Sequence, residues 1–222
     1  MIYLFRFVIA CFVFIAVAGS AVRARDANTA DSIYEAYHQV ALREFPESAT
    51  FNGDHRYDTL WTEYSVSAQQ RRRSQMQMFL DRIDRIDTSD MSETERLNKR
   101  LFQSSVREWI RGVDARDYLM PITQLGGLHL DMQLLPSQSR IESDEDKRAY
   151  LIRLRAFPSQ VDGVIGLMKE GIKSKLVLPK VIVKRIVEQL RDISETPVVK
   201  SPLYRLPLKR SQREDGGSVE AS

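Results

Sequence analysis

Hydrophobic positions along most of this chain recur every three or four residues, the spacing of one helix face, and seldom alternate as a half-buried strand requires. Ile33, Tyr37, Val40, Ala41 and Phe45 fall near one face of a helix predicted over residues 31–45, which Pro46 stops. A second helix is predicted over residues 67–86, with Met76, Phe79, Leu80, Ile83 and Ile86 at helical spacing and charged flanks around them. Ser92-Glu93-Thr94-Glu95 has the form of a capping box, opening a helix that runs through Leu97, Leu101 and Trp109 towards a stop at Gly112. Ser143-Asp144-Glu145-Asp146 opens the next in the same way, with Tyr150, Leu151, Leu154 and Phe157 on its inner face. Pro158 predicts the first residue of a further helix carrying Val161, Val164, Ile165, Met168 and Ile172. Pro179 opens the last one, with Ile182, Ile186, Leu190 and Ile193 inward. The β-branched run VIVKRIV admits a strand there, but its length and period favour a helix.

Two long segments break the pattern, residues 46–66 with FNGDHRYD and residues 118–143 with PITQLGGLHLDMQLLP. Long ordered loops in a helical protein are uncommon and often functional. The expected fold is therefore all-α: an irregular multi-helix bundle with two long polar loops, preceded by a signal peptide. Residues 1–24 combine one early cation, the apolar run 7–18 and small residues, as a secretory signal does; an uncleaved anchor is the alternative. Residues 25–206 form the helical domain, and the polar, Gly- and Ser-containing residues 207–222 a disordered tail.

Composition narrows the classes. Of the 222 residues, 43% are hydrophobic and 28% charged, which supports a sizeable core and excludes a membrane bundle. Removing residues 1–24, which hold Arg6 and Arg23 and no acid, lowers the net charge from +3 to +1. Arg71-Arg72-Arg73 is the only dense basic run, and three consecutive positions fan around a helix rather than forming a stripe. It reads as a solvated face, and nucleic acid is not an expected partner. Cys11 is the sole cysteine and lies in the apolar leader, so the mature chain has neither disulfides nor a cysteine nucleophile. The expected destination is export to the periplasm or cell envelope, with membrane contact only through the N-terminal segment.

Chemistry concentrates in the two loops. His38 sits mid-helix and reads as structural; His55 and His129 lie in the loops, each near an aspartate. HExxH, GxSxG and a phosphate-binding loop are all absent. Gly126-Gly127 reads as a turn needing positive φ or as a close approach to a ligand. For FNGDHRYD two readings stand. In one it connects helices, Asp54 capping a turn, Arg56 pairing with Asp54 or Asp58, and Tyr57 packing as an anchor. In the other it is the polar wall of a binding cleft.

The ordered set FNGDHRYDTLWTEYS, SETERLNKRLF, DYLMPITQLGGLHLDMQLLP, YLIRLRAFPSQVDGVIGLMKEGI and SPLYR resembles the amino-terminal part of the bacterial domain-of-unknown-function family 885, over roughly residues 31–206. Thr123 stands where that family usually has asparagine, and Leu128 where it has proline. The resemblance implies an exported, all-helical, zinc-peptidase-like protein whose HExxH helix lies downstream of the matching region. On that view this chain is a truncated form, inactive alone, with no catalytic residue and no metal ligand. Zinc is expected only in longer members, and the implied partner is a separately encoded remainder of the family domain. The candidate substrate contacts are Asp54, His55, Arg56 and Asp58 in the first loop and Gln124, Gly126, Gly127, His129 and Asp131 in the second. That role is an expectation placed on the matching loops, not one the family supplies. A self-contained periplasmic ligand-binding or interaction module is the alternative, and an enzyme with a metal assembled between the two histidine loops is a third reading.

Overall fold

A computed structural model describes residues 29–204. The expected leader over residues 1–24 and the expected tail over residues 207–222 lie outside them. The described chain is all-α. Its helices are α1 (Ala30–Glu44), α2 (Pro46–Phe51), α3 (Val66–Asp84), α4 (Glu93–Asp114), α5 (Leu128–Gln138), α6 (Asp144–Lys173) and α7 (Lys180–Glu195), with short 3-10 turns at His55–Tyr57, Asp117–Leu119 and Val198–Lys200. Among the described residues there is no strand; a lone bridge joins Thr123 to Gly126. No described helix is long and apolar enough to cross a membrane.

The described residues divide into two compact units, one of residues 29–40 with Ser74–Ile110, the other of Ala41–Arg73 with residues 111–204. The first unit buries Ile33, Met76, Phe79, Leu80, Ile83, Val106 and Ile110. Tyr37 meets the rings of Phe79 and Phe102 nearly edge-on at 5.7 and 5.1 Å, the arrangement aromatic quadrupoles favour. The Ser92 capping box forms: the Ser92 N–H donates to the Glu95 carboxylate at 2.7 Å and the Glu95 N–H to the Ser92 hydroxyl at 3.3 Å. Leu97 and Leu101, on the same helix, are exposed.

The second unit holds two apolar clusters, one around Ile122, Leu128, Val164 and Ile186, the other around Met132, Leu135, Ile141 and Tyr150. Its longest element corrects the sequence reading. Pro158 does not open a helix; it lies inside α6, which runs unbroken for 30 residues. A proline there removes the i→i−4 bond to Leu154. The turns on either side nevertheless stay helical, because Tyr150, Leu154 and Phe157 pack on one apolar cluster and Phe157, Val161 and Val164 on the other. The two segments expected as loops also carry helix. Pro46 sits at the first position of α2, where its missing N–H costs nothing. Leu128, Met132 and Leu135, four and three residues apart, give residues 128–138 a buried helical face despite Pro136 in the last turn.

The arginine run is corrected as well. Arg72 is only 1% exposed; its guanidinium donates to the Glu44 carboxylate and the Glu63 carbonyl. Arg71 bridges Glu44 and Glu63, and Arg73 pairs with Asp114. The fan was legible, but each side chain meets an acid rather than solvent alone, Arg71 and Arg72 sharing Glu44.

The capping box at Ser143 forms as predicted, and it yields a pH test. Burial pushes the Asp146 carboxyl pKa up, but the Glu142 and Ser143 N–H groups and the Arg140 guanidinium outweigh it and leave it at about 2. The folded pKa lies below the unfolded value of about 3.9. Its contribution is therefore complete above about pH 4 and is lost as pH falls through about 2. With solvent screening we expect ~1 kcal/mol. Asp146→Asn should lower stability at neutral pH by that amount and flatten the acid limb of a urea-stability profile. An acid limb identical in the two proteins would remove Asp146 as its source.

Candidate functional site

The residues of FNGDHRYD split into two groups. Asp54 caps the 3-10 turn by accepting the Arg56 N–H, and its carboxylate also takes the Arg56 guanidinium, which holds its pKa down at about 2. This is a local, solvent-facing pair. Asp58 turns inward. It accepts from the Thr50 hydroxyl at 2.6 Å and meets His55 Nδ1 at 2.9 Å. Above it stands a residue the sequence reading passed over, Arg153 of α6, 1% exposed. Arg153 donates to Thr50 Oγ1 at 2.8 Å and to the Tyr57 carbonyl at 2.7 Å, and lies 3.9 Å from Asp58. Its own carbonyl accepts the Trp61 indole N–H at 2.7 Å. His55 and Asp58 are thus tied into an arginine-centred clamp between α2, the 3-10 turn and α6. A signal for it was present: Arg153 falls on the stripe of Tyr150, Leu154 and Phe157, where a charged residue is out of place unless it has partners.

The second segment behaves in the same divided way. The Thr123 N–H donates to the Gly126 carbonyl at 2.8 Å, closing a tight turn. Gly127 then takes φ +124°, and a Cβ there would stand 2.8–2.9 Å from Ile122 and the Pro121 carbonyl. The close approach is to the chain itself. Gln189 of α7 donates its amide N–H to the Gln124 carbonyl at 3.0 Å, so its oxygen faces His129 Nε2 at 3.2 Å. The Gln124 side chain accepts from Arg185. His129, 7% exposed, serves the α5–α7 packing.

Asp131 is different. It reaches a cleft of about 650 Å³ that draws on both segments. From the first come Glu47, Trp61, Thr62 and Tyr64, and from α5 come Leu128, Asp131 and Leu135. Both Glu47 carboxylate oxygens are held by Thr62, through its N–H at 3.0 Å and its hydroxyl at 2.5 Å, which fixes the wall of the cleft. Gly163 of α6 lets Tyr64 approach: a Cβ there would meet the Tyr64 carbonyl at 2.8 Å. Burial, then the charges of Glu47 and Asp131, push the Tyr64 phenol up to about 12, so it stays neutral. Burial and the Glu47 charge also push the Asp131 carboxyl up, while His129 pulls it down.

The structure therefore brings the two expected segments together, but only Asp131 of the nine candidate contacts lines the cleft. Glu47, Trp61, Thr62 and Tyr64 were missed. The aromatic run in TLWTEYS was their available signal.

His55 Nδ1 meets Asp58 and His129 Nε2 faces Gln189; among the described residues no group of three or more His, Cys, Asp or Glu could hold a metal ion.

A family described as bacterial protein of unknown function, DUF885, matches residues 46–221. No curated protein matches the chain.

Proposed function

We propose a function from one premise: the chain belongs to the bacterial family of unknown function DUF885. It acts as the ligand-holding helical portion of an exported, peptidase-like protein of the cell envelope. It binds peptide in the cleft between the α2 segment and α5 and has no hydrolytic machinery of its own. The observation that carries this reading is the cleft itself: two segments about 60 residues apart in sequence meet in one wall, with Glu47 latched and Asp131 left open.

Trp61 lines the cleft, and the chain has only one other tryptophan, Trp109. In a Trp109→Phe background, leucyl-leucine amide and its N-acetyl derivative should each change Trp61 emission saturably. Mass spectrometry should find both intact after incubation. If neither peptide perturbs Trp61, the cleft reading fails; if either is cleaved unaided, the non-catalytic assignment fails.

A further inference from the structure

We infer that the Glu47–Asp131 cleft selects an organic cation, an aliphatic ammonium group carried on an apolar body. The inference rests on the cleft being the ligand site and goes further by naming what it prefers. Phe51, Trp61, Leu134 and Leu135 supply apolar wall, and Phe51 is 68% exposed beside it. Two carboxylates join them, and among the described residues no lysine, arginine or histidine lines the cleft.

The neighbouring cations are already committed. Arg72 is bound to Glu44 and the Glu63 carbonyl, and Arg153 to Thr50 and the Tyr57 carbonyl beside Asp58. Arg153 also feels the charge of Glu47, whose two oxygens are held by Thr62. Asp131 is left with no hydrogen-bond donor among the described residues; its electrostatic neighbours are Glu47 and His129. Asp131 is exposed, so a ligand can reach it, and a carboxylate with a like charge nearby is stabilised when a cation answers it. An ammonium group does so, and aromatic faces add to the attraction. An anionic ligand would meet two like charges, and a neutral one would gain nothing from them. A bare divalent ion is a poor fit: calcium takes about six to eight oxygens, and one of the two carboxylates here is already spent on Thr62.

The test compares leucyl-leucine amide, whose free amine is charged, with N-acetyl-leucyl-leucine amide, by Trp61 emission in the full chain carrying Trp109→Phe. The free amine should bind about tenfold tighter, and added salt should shrink the difference. Asp131→Asn should abolish the preference, and Asp131→Glu should retain it. Far-UV circular dichroism confirms that both variants are folded. Equal binding of the two peptides, or a preference that survives in Asp131→Asn, overturns the cation inference and leaves the cleft reading standing. Binding of neither overturns both.

Discussion

Replacing Arg153 with alanine should destabilise the second unit by about 3–5 kcal/mol, the cost of breaking a buried charge cluster by removing one partner. The guanidinium is 1% exposed and serves Thr50, the Tyr57 carbonyl and Asp58 at once. Burial pushes its pKa down, while Asp58 and Glu47 pull it back up, and an arginine stays charged at neutral pH in any case. Without it, Asp58 keeps the Thr50 and His55 contacts but loses its buried cation, and the Tyr57 carbonyl loses a donor. Arg153→Lys should recover only part of the loss, because an ammonium is a point charge and cannot span two acceptors as the planar fork does. Trp61 is the natural probe: its indole N–H is bonded to the Arg153 carbonyl, and the guanidinium carbon lies 5.8 Å from its ring. Urea unfolding followed at Trp61 measures the effect. A loss below about 1 kcal/mol would mean the cluster is no better than a surface pair, and the clamp would not be what positions the first segment.

Gly127→Ala should cost about 3 kcal/mol, combining a backbone conformation open essentially to glycine with overpacking against atoms that cannot move aside. The residue has φ +124° and ψ +173°, and two of the three nearest contacts of an added Cβ, Ile122 Cα and the Pro121 carbonyl, are backbone. The damage should spread, because Gly127 is the N-cap of α5, and its carbonyl accepts the Leu130 and Asp131 N–H groups that start the helix. Displacing that start displaces Asp131, so peptide binding should weaken along with stability. Gly126→Ala is the control: it has no positive φ, and nothing lies within 4 Å of the added Cβ. It should cost no more than about 1 kcal/mol. Equal losses in the two variants, measured by chemical denaturation, would show that neither strain nor packing explains the glycine pair.

How far each feature could be read depended on how local its cause was. The two capping boxes were plain because donor and acceptor sit three residues apart, and both form. The faces of α1 and α3 were equally plain, since burial follows a 3.6-residue period. The same rule misjudged residues 128–138, where Gly-Gly before and Pro136 within looked like loop punctuation, although Leu128, Met132 and Leu135 already marked a face. It misjudged Pro158, because a proline preference for first turns is a statistical lean that packing on two clusters overrides. At the site, Asp54 and Arg56 behave as their proximity suggested. Asp58 and His55 are tied into the protein instead, because Arg153, almost 100 residues away, claims the centre of their loop.

Chain order alone settled the all-helical class, most helix starts, and the segments in which polar chemistry gathers, since those depend on periodicity and on bonds between near neighbours. Folding settled which of those polar groups line a common cleft. Glu47 and Asp131 share a cleft only because α5 packs beside the α2 segment, and Arg72 and Arg153 are buried only because distant acceptors surround them. Long-range burial fixes both the charge left over and the direction in which it points, and no spacing rule encodes either.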